Sequence, residues 1–175
     1  MIDNSISILI ERRKESFFYK VDSTRNSFAN NWKNNSLDVI SILKGGRKIR
    51  SYKCQTVANH PDYDTHDTIA DGSFQIRCFV DPRQFHGHIH AIINTFDVDC
   101  EWVDHNAMQN TAGGFQNGRW LIHDRYSFKT GNDTNFAWSG GCFILSSRDL
   151  EDFNDTLVCL GVQKGQILDG TIRTA

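Results

Sequence analysis

Two residues of this sequence have the side chains and the setting for nucleophilic acyl transfer. Cys142 follows two glycines in the segment Ser139-Gly140-Gly141-Cys142, where a tight turn can present the thiol and backbone amides together. His123 ends an apolar run nineteen residues earlier and could take the proton of that thiol. The amides of Gly141 and Cys142 could receive an oxyanion. The sequence therefore contains a candidate nucleophile, a candidate base and candidate oxyanion donors.

Only the fold can bring His123 and Cys142 together, because nineteen residues separate them. We expect an antiparallel return of the chain to do so. The connecting segment, residues 124–138, includes Arg125 and Trp138 and is polar and aromatic enough to line a substrate cleft. Asp124 or a backbone carbonyl could hold the imidazole of His123 in one tautomer. Strand alternation, however, points the Asp124 side chain away from the face that carries His123.

The elements that must position these residues are mainly strands. Alternation of apolar and polar residues, interrupted by glycine and polar turns, is typical of a β protein. The segments with this pattern are residues 6–10, 37–43, 49–57, 74–80, 88–93, 118–123 and 165–172. Lys44-Gly45-Gly46-Arg47 predicts a hairpin or short loop between the second and third. With 175 residues and no shift in composition, the sequence predicts a single domain over residues 1–175.

One helix is predicted near the C-terminus. Ser146 is a suitable N-cap, with Asp149 three residues later in a capping-box arrangement, and Gly161 is a suitable C-terminal stop. The apolar residues between them recur at helical spacing, at Leu150, Phe153, Leu157 and Leu160.

The order of a histidine, a loop of about fifteen residues and then Ser-x-Gly-Cys resembles the catalytic segment of the L,D-transpeptidases, which have the YkuD-like fold. The matching residues are His123, Ser139, Gly141 and Cys142. The segments 68–76 and 120–123 resemble a YkuD-like branch as well, so that the resemblance covers roughly residues 68–172. Gly140 stands where the family has a histidine, and Ile144 stands where it usually has Asn or Arg.

This resemblance implies a mainly β, YkuD-like sandwich or barrel with one or two helices, including a helix near residues 147–160. It also implies that Cys142 attacks a peptidoglycan-type stem peptide, with His123 as base. The resulting thioester would pass to an amine or to water, without a metal or other cofactor. The residues expected around the reacting atoms are Asp124 beside the base and, for the oxyanion and substrate, Gly141, Ser139, Arg125, Trp138 and His90.

A histidine cluster suggests a second function. His86-Gly87-His88-Ile89-His90 places three imidazoles on one face of a strand, a common geometry for chelating zinc, and would make the protein a zinc-dependent peptidase. His88 and His90 could instead line the cleft of Cys142 and meet a substrate carboxylate. A third alternative is a non-catalytic module that binds wall peptides or a protein partner.

Composition and charge limit the partners and the location that the sequence supports. A net charge of −2 gives no electrostatic reason to expect nucleic acid as a partner, and no apolar segment has the length of a membrane span. The four cysteines other than Cys142 lack paired spacing, and we expect them to be structural. The N-terminal residues alternate like a strand and show no leader, which predicts a cytoplasmic protein as the sequence stands, or a cell-envelope protein if it is exported.

Overall fold

The computed structural model describes residues 3–18, 38–57, 68–69, 71–80, 88–97, 120–133 and 141–175. These residues form a mainly β protein, which confirms the fold class expected from the sequence. The strands are β1 Ile6–Arg12, β2 Asp38–Lys44, β3 Arg47–Cys54, β4 Gly72–Val80, β5 Ile89–Asp97, β6 Leu121–Asp124, β7 Tyr126–Ser127, β8 Asn132–Asp133, β9 Phe143–Leu145 and β10 Ile167–Thr174. A short 3-10 helix spans Lys14–Phe18, and the α-helix α1 spans Ser147–Cys159.

Eight of the strands form one sheet, in the order β3-β2-β1-β10-β4-β5-β6-β9. Two neighbouring pairs, β1 with β10 and β6 with β9, are parallel, and the other pairs are antiparallel. Just beyond β3, Gln55 forms an antiparallel bridge with Ile144 of β9, with an N–H···O bond of 2.9 Å in each direction. This bridge joins the two outermost strands, so that the sheet becomes a nearly closed barrel with few open edges.

The hairpin predicted between β2 and β3 forms at the two glycines. Gly45 and Gly46 have φ angles of 57° and 78°, the left-handed conformation that a two-residue hairpin turn requires at both positions. Glycine is the residue type that adopts this conformation without steric cost.

The predicted helix is present and is capped as expected. The Ser146 hydroxyl accepts the N–H of Asp149 at 3.1 Å, and Gly161 follows the helix with φ of 87°. Its apolar face packs into the barrel, where Leu150, Phe153 and Leu157 are almost fully buried. No helix in the described ranges is both long and apolar enough to cross a membrane.

The two faces of the sheet carry different apolar clusters. The inner face and α1 form the main core, which includes Phe74, Ile122, Phe143 and Phe153. A second, smaller cluster lies on the outer face over β5, β6 and β9, and consists of Ile89, Ala91, Leu121, Cys142 and Ile144. Cys142 therefore lies on the outer face of the barrel.

Candidate active site

Cys142 lies immediately before β9, beside the first residue of β6. The parallel register pairs Ile122 with Phe143 and His123 with Ile144, so that one step back places Cys142 level with Leu121. The N–H of Leu121 points at the Cys142 sulfur, at an N···S distance of 3.3 Å. The expectation of an antiparallel return was wrong, because β6 and β9 run parallel.

His123 and Cys142 share one face of the sheet. His123 and Leu121 are two residues apart on β6, and Cys142 and Ile144 are two residues apart beside them, so all four side chains project to the outer side. A strand separation of about 4.8 Å and a rise of about 6.6 Å over two residues put the two Cα atoms roughly 8 Å apart. An imidazole and a thiol on such a diagonal can reach each other.

The backbone of Asp124 sets the tautomer of His123. The Nδ1 atom of His123 lies 2.6 Å from the carbonyl oxygen of Asp124. A carbonyl can only accept, so Nδ1 donates a proton and Nε2 keeps its lone pair. Nε2 is therefore the nitrogen that can take a proton from a thiol.

His123 is neutral at ordinary pH. Burial lowers its pKa from 6.5 to about 4, and the hydrogen bond to the Asp124 carbonyl opposes part of this shift. A neutral imidazole with a lone pair on Nε2 is the form that acts as a general base.

Unusual backbone geometry flanks the Cys142–Leu121 pair. Gly141, just before Cys142, has φ of 124°, and Trp120, just before Leu121, has φ of 63°. The first value suits glycine, whereas a left-handed tryptophan is strained and persists only where the surrounding structure holds it. Trp120 is held by its carbonyl, which accepts the N–H of Ile92 at 2.9 Å, and by burial of its side chain.

Asp124 is placed differently from its predicted role. Its side chain alternates to the face opposite His123 and is only 2% exposed, level with Leu145 of the inner core. Asp124 orients the imidazole through its backbone carbonyl oxygen, which was the alternative to its carboxylate.

His90 does not line the cysteine face. It pairs with Ile122, which points into the barrel, and its ring packs against Phe153 of α1. Its Nδ1 accepts the N–H of Phe79 at 3.1 Å, and its Nε2 lies 2.6 Å from the side-chain oxygen of Asn154. The Asn154 amide is oriented by its own bond to the His88 carbonyl at 3.0 Å.

These contacts contradict the zinc hypothesis as far as His90 is concerned. Both ring nitrogens of His90 are used within the protein, and neither can bind a metal unless a buried hydrogen bond breaks. Burial also lowers the pKa of His90 to about 4. Within the described ranges, no three His, Cys, Asp or Glu side chains are grouped as a metal site would need. His86 lies outside these ranges.

The remaining predicted site residues fall into two groups. Ser139, Gly140 and Trp138 lie outside the described residues. Arg125 is described, and its guanidinium lies 3.6 Å from Asp133, whose carboxylate also accepts the first N–H of α1, from Ser147, at 3.1 Å. These contacts attach the β7–β8 hairpin to the start of α1.

One residue beside the site was missed by sequence reasoning. Gln55 pairs with Ile144 and lies on the same face as Cys142, although it is nearly ninety residues away in the chain. A lone glutamine at the end of a predicted strand has no motif that would single it out. Only the closing of the barrel reveals it.

Three comparisons place the chain among known proteins. No protein-family model matches it. Among solved structures, it is similar to an L,D-transpeptidase from Mycobacterium smegmatis, with a TM-score of 0.39 and 12% sequence identity over 96% of this chain and 59% of that one. The chain thus spans less than two thirds of the length of that transpeptidase.

A sequence relative is much more similar. An uncharacterized protein of Treponema pallidum (strain Nichols) is 46% identical over 182 residues, which cover 98% of this chain and 82% of the relative. Identity at this level over nearly the whole length shows common descent. The chain therefore belongs to the same protein family as this treponemal protein.

Proposed function

We propose that this protein is a cysteine acyl-transfer enzyme in which Cys142 is the nucleophile and His123 the general base. The observation that carries the proposal is the common face of the two side chains on adjacent strands, together with the hydrogen bond that leaves Nε2 of His123 unprotonated. A nucleophile, a base and a group that orients the base are the three parts such chemistry requires.

The reaction proceeds in two steps. Nε2 of His123 takes the thiol proton while the Cys142 sulfur attacks the carbonyl carbon of a peptide bond. The C–N bond then breaks, the departing amine takes the proton from Nε2, and a thioester remains on Cys142. An amine or water attacks the thioester, and the thiol regains its proton. Depending on this acceptor, the enzyme is a transpeptidase or a peptidase.

Backbone donors support the charged states along this path. The Leu121 N–H at the sulfur stabilises negative charge that develops there when the proton leaves. The positive φ of Gly141 turns the backbone ahead of the nucleophile, where the amides of Gly141 and Cys142 are proposed to bind the oxyanion. Such a donor is worth about 3 kcal/mol of transition-state stabilisation.

The proposed substrate is a peptidoglycan-type stem peptide. This choice follows from the motif shared with the L,D-transpeptidases at His123, Ser139, Gly141 and Cys142. The test is to incubate the protein with a tetrapeptide stem and measure its intact mass. We expect an added mass equal to the peptide less the free amino acid that departs, absent in Cys142→Ala.

Thiol labelling tests the dyad without a substrate. Iodoacetamide should modify Cys142 faster than Cys159, although Cys142 is 7% exposed and Cys159 is exposed, because the proposed dyad gives Cys142 a base. Cys54 and Cys78 should stay unmodified, because burial raises both pKa values, that of Cys78 to about 12.

Two variants separate the base from general effects. His123→Ala should slow the labelling of Cys142 at least tenfold and leave Cys159 unchanged, and added imidazole should restore part of the rate. His88→Ala, which replaces an exposed histidine just before β5, is the matched control. Labelling of Cys142 no faster than Cys159, with no response to His123→Ala, would refute the proposed dyad.

A further inference from the structure

Gln55 lies on the opposite side of Cys142 from His123. Ile144 is paired with His123 on one side and with Gln55 on the other, so three outward side chains form a row across the sheet. Cys142 projects from the same strand and face, two residues before Ile144. The nucleophile therefore has the base on one diagonal and Gln55 on the other.

The side-chain amide of Gln55 has a defined orientation. Its Nε2 donates to the carbonyl oxygen of Val57 at 2.7 Å, and because a carbonyl cannot donate, the nitrogen must face Val57. The antiparallel direction of the bridge places Val57 on the Cys142 side of Ile144. The head of the side chain thus extends toward the level of the nucleophile.

This orientation leaves a buried acceptor unused. Gln55 is 0% exposed, and among the residues the structure describes no group donates a hydrogen bond to its Oε1. A buried polar atom without a partner is costly and uncommon, and such atoms are often found where a ligand completes the bonding.

The backbone around Gln55 is held firmly, and the bond from Nε2 to the Val57 carbonyl holds the side-chain amide against it. Its own N–H and carbonyl bond to Ile144. The next residue, Thr56, is also fully buried, with its hydroxyl 2.9 Å from Arg12 Nε and 2.6 Å from an Asp38 oxygen. The acceptor is therefore fixed in place before any substrate arrives.

We infer that Gln55 Oε1 binds an N–H group on the acyl side of the substrate, next to the carbonyl that Cys142 attacks. This inference rests on the proposed function. His123 must protonate the departing amine, so the leaving group lies on the His123 side of the nucleophile. The acyl portion then extends to the other side, where Gln55 presents an acceptor. The structure thus selects acyl donors that carry an amide or ammonium N–H close to the reacting carbonyl.

Two chloromethyl ketones that differ in one group test this inference. One is derived from N-acetyl-alanine, and in the other an ester oxygen replaces the N–H. The Cys142 sulfur displaces chloride from either, and intact mass gives the rate, divided by the rate with N-acetylcysteine to remove intrinsic reactivity. In the wild-type protein we expect the amide probe to react at least tenfold faster, since the ester leaves Oε1 unpaired and brings a second acceptor toward it.

The Gln55→Met variant should lose this preference, with the two normalised rates within about twofold, and still react with iodoacetamide at Cys142. Gln75→Met replaces a half-buried glutamine of β4 whose amide donates to Asp169 of β10 at 2.9 Å; it is the matched control and should keep the preference. Equal normalised rates in the wild-type protein, which require no variant, would overturn the inference about Gln55 and leave the dyad intact. No selective reaction at Cys142 with any reagent would overturn the proposed function itself.

Discussion

Replacing Thr56 by valine should destabilise the protein strongly although it changes almost no volume. The Thr56 hydroxyl donates to the Asp38 carboxylate at 2.6 Å and accepts the Arg12 Nε–H at 2.9 Å, and all three residues are at most 1% exposed. Valine keeps the branched shape but leaves one charge-bearing donor and one acceptor unsatisfied in the interior. At roughly 1–3 kcal/mol for each, the expected loss is about 4 kcal/mol.

Urea denaturation followed by tryptophan fluorescence measures this loss as a fall in midpoint at unchanged slope. Thr56→Ser is the matched control, because it keeps the hydroxyl and removes one methyl group at a cost of about 1 kcal/mol. Burial raises the pKa of Asp38, and the Thr56 hydrogen bond opposes that rise by favouring the carboxylate. The valine variant should therefore recover part of its deficit at a pH low enough to protonate Asp38. A valine variant no less stable than the serine variant would refute this account of the network.

Three other perturbations have equally definite outcomes. Gly170→Ala should cost about 2 kcal/mol in urea, since a Cβ there would overlap the ring of Phe74, and its effect combined with Phe74→Leu should be less than additive. The free energy of unfolding of the wild-type protein should fall by about 3 kcal/mol between pH 6.5 and about 4 through His90, because over that range only the unfolded chain binds the proton. His90→Gln should lack this part of the fall, and an unchanged dependence of stability on pH in that variant would contradict the buried neutral histidine. The ratio of wild-type to His123→Ala labelling rates at Cys142 should persist at about pH 5.5, whereas a decline centred near 6.5 would show that burial does not lower the His123 pKa.

Local features of the fold were predictable from the sequence because their causes are local. Helix α1 depends on the Ser146 cap and on apolar residues at helical spacing, all within one short segment. The β2–β3 hairpin depends on Gly45 and Gly46, which permit a conformation that other residues resist. Each of these interactions joins residues only a few positions apart.

The histidine cluster shows where such reasoning ends. Alternation predicts that His88 and His90 share one side of their strand, but it does not say which side faces the core. The side chains of Asn154 and Phe153, more than sixty residues later, hold His90 inside the barrel. His90, one histidine of a pattern typical of a metal site, is therefore a residue of the core.

The sequence by itself determined the β class and the C-terminal helix, and it singled out Cys142 and His123 as residue types that can serve as nucleophile and base. Only the tertiary structure decided that the two lie on one face of adjacent parallel strands, and that Gln55 pairs with Ile144 beside them. The physical reason is that residue type and periodicity act over one turn or one strand. The pairing of strands depends instead on which buried surfaces fit over the whole chain.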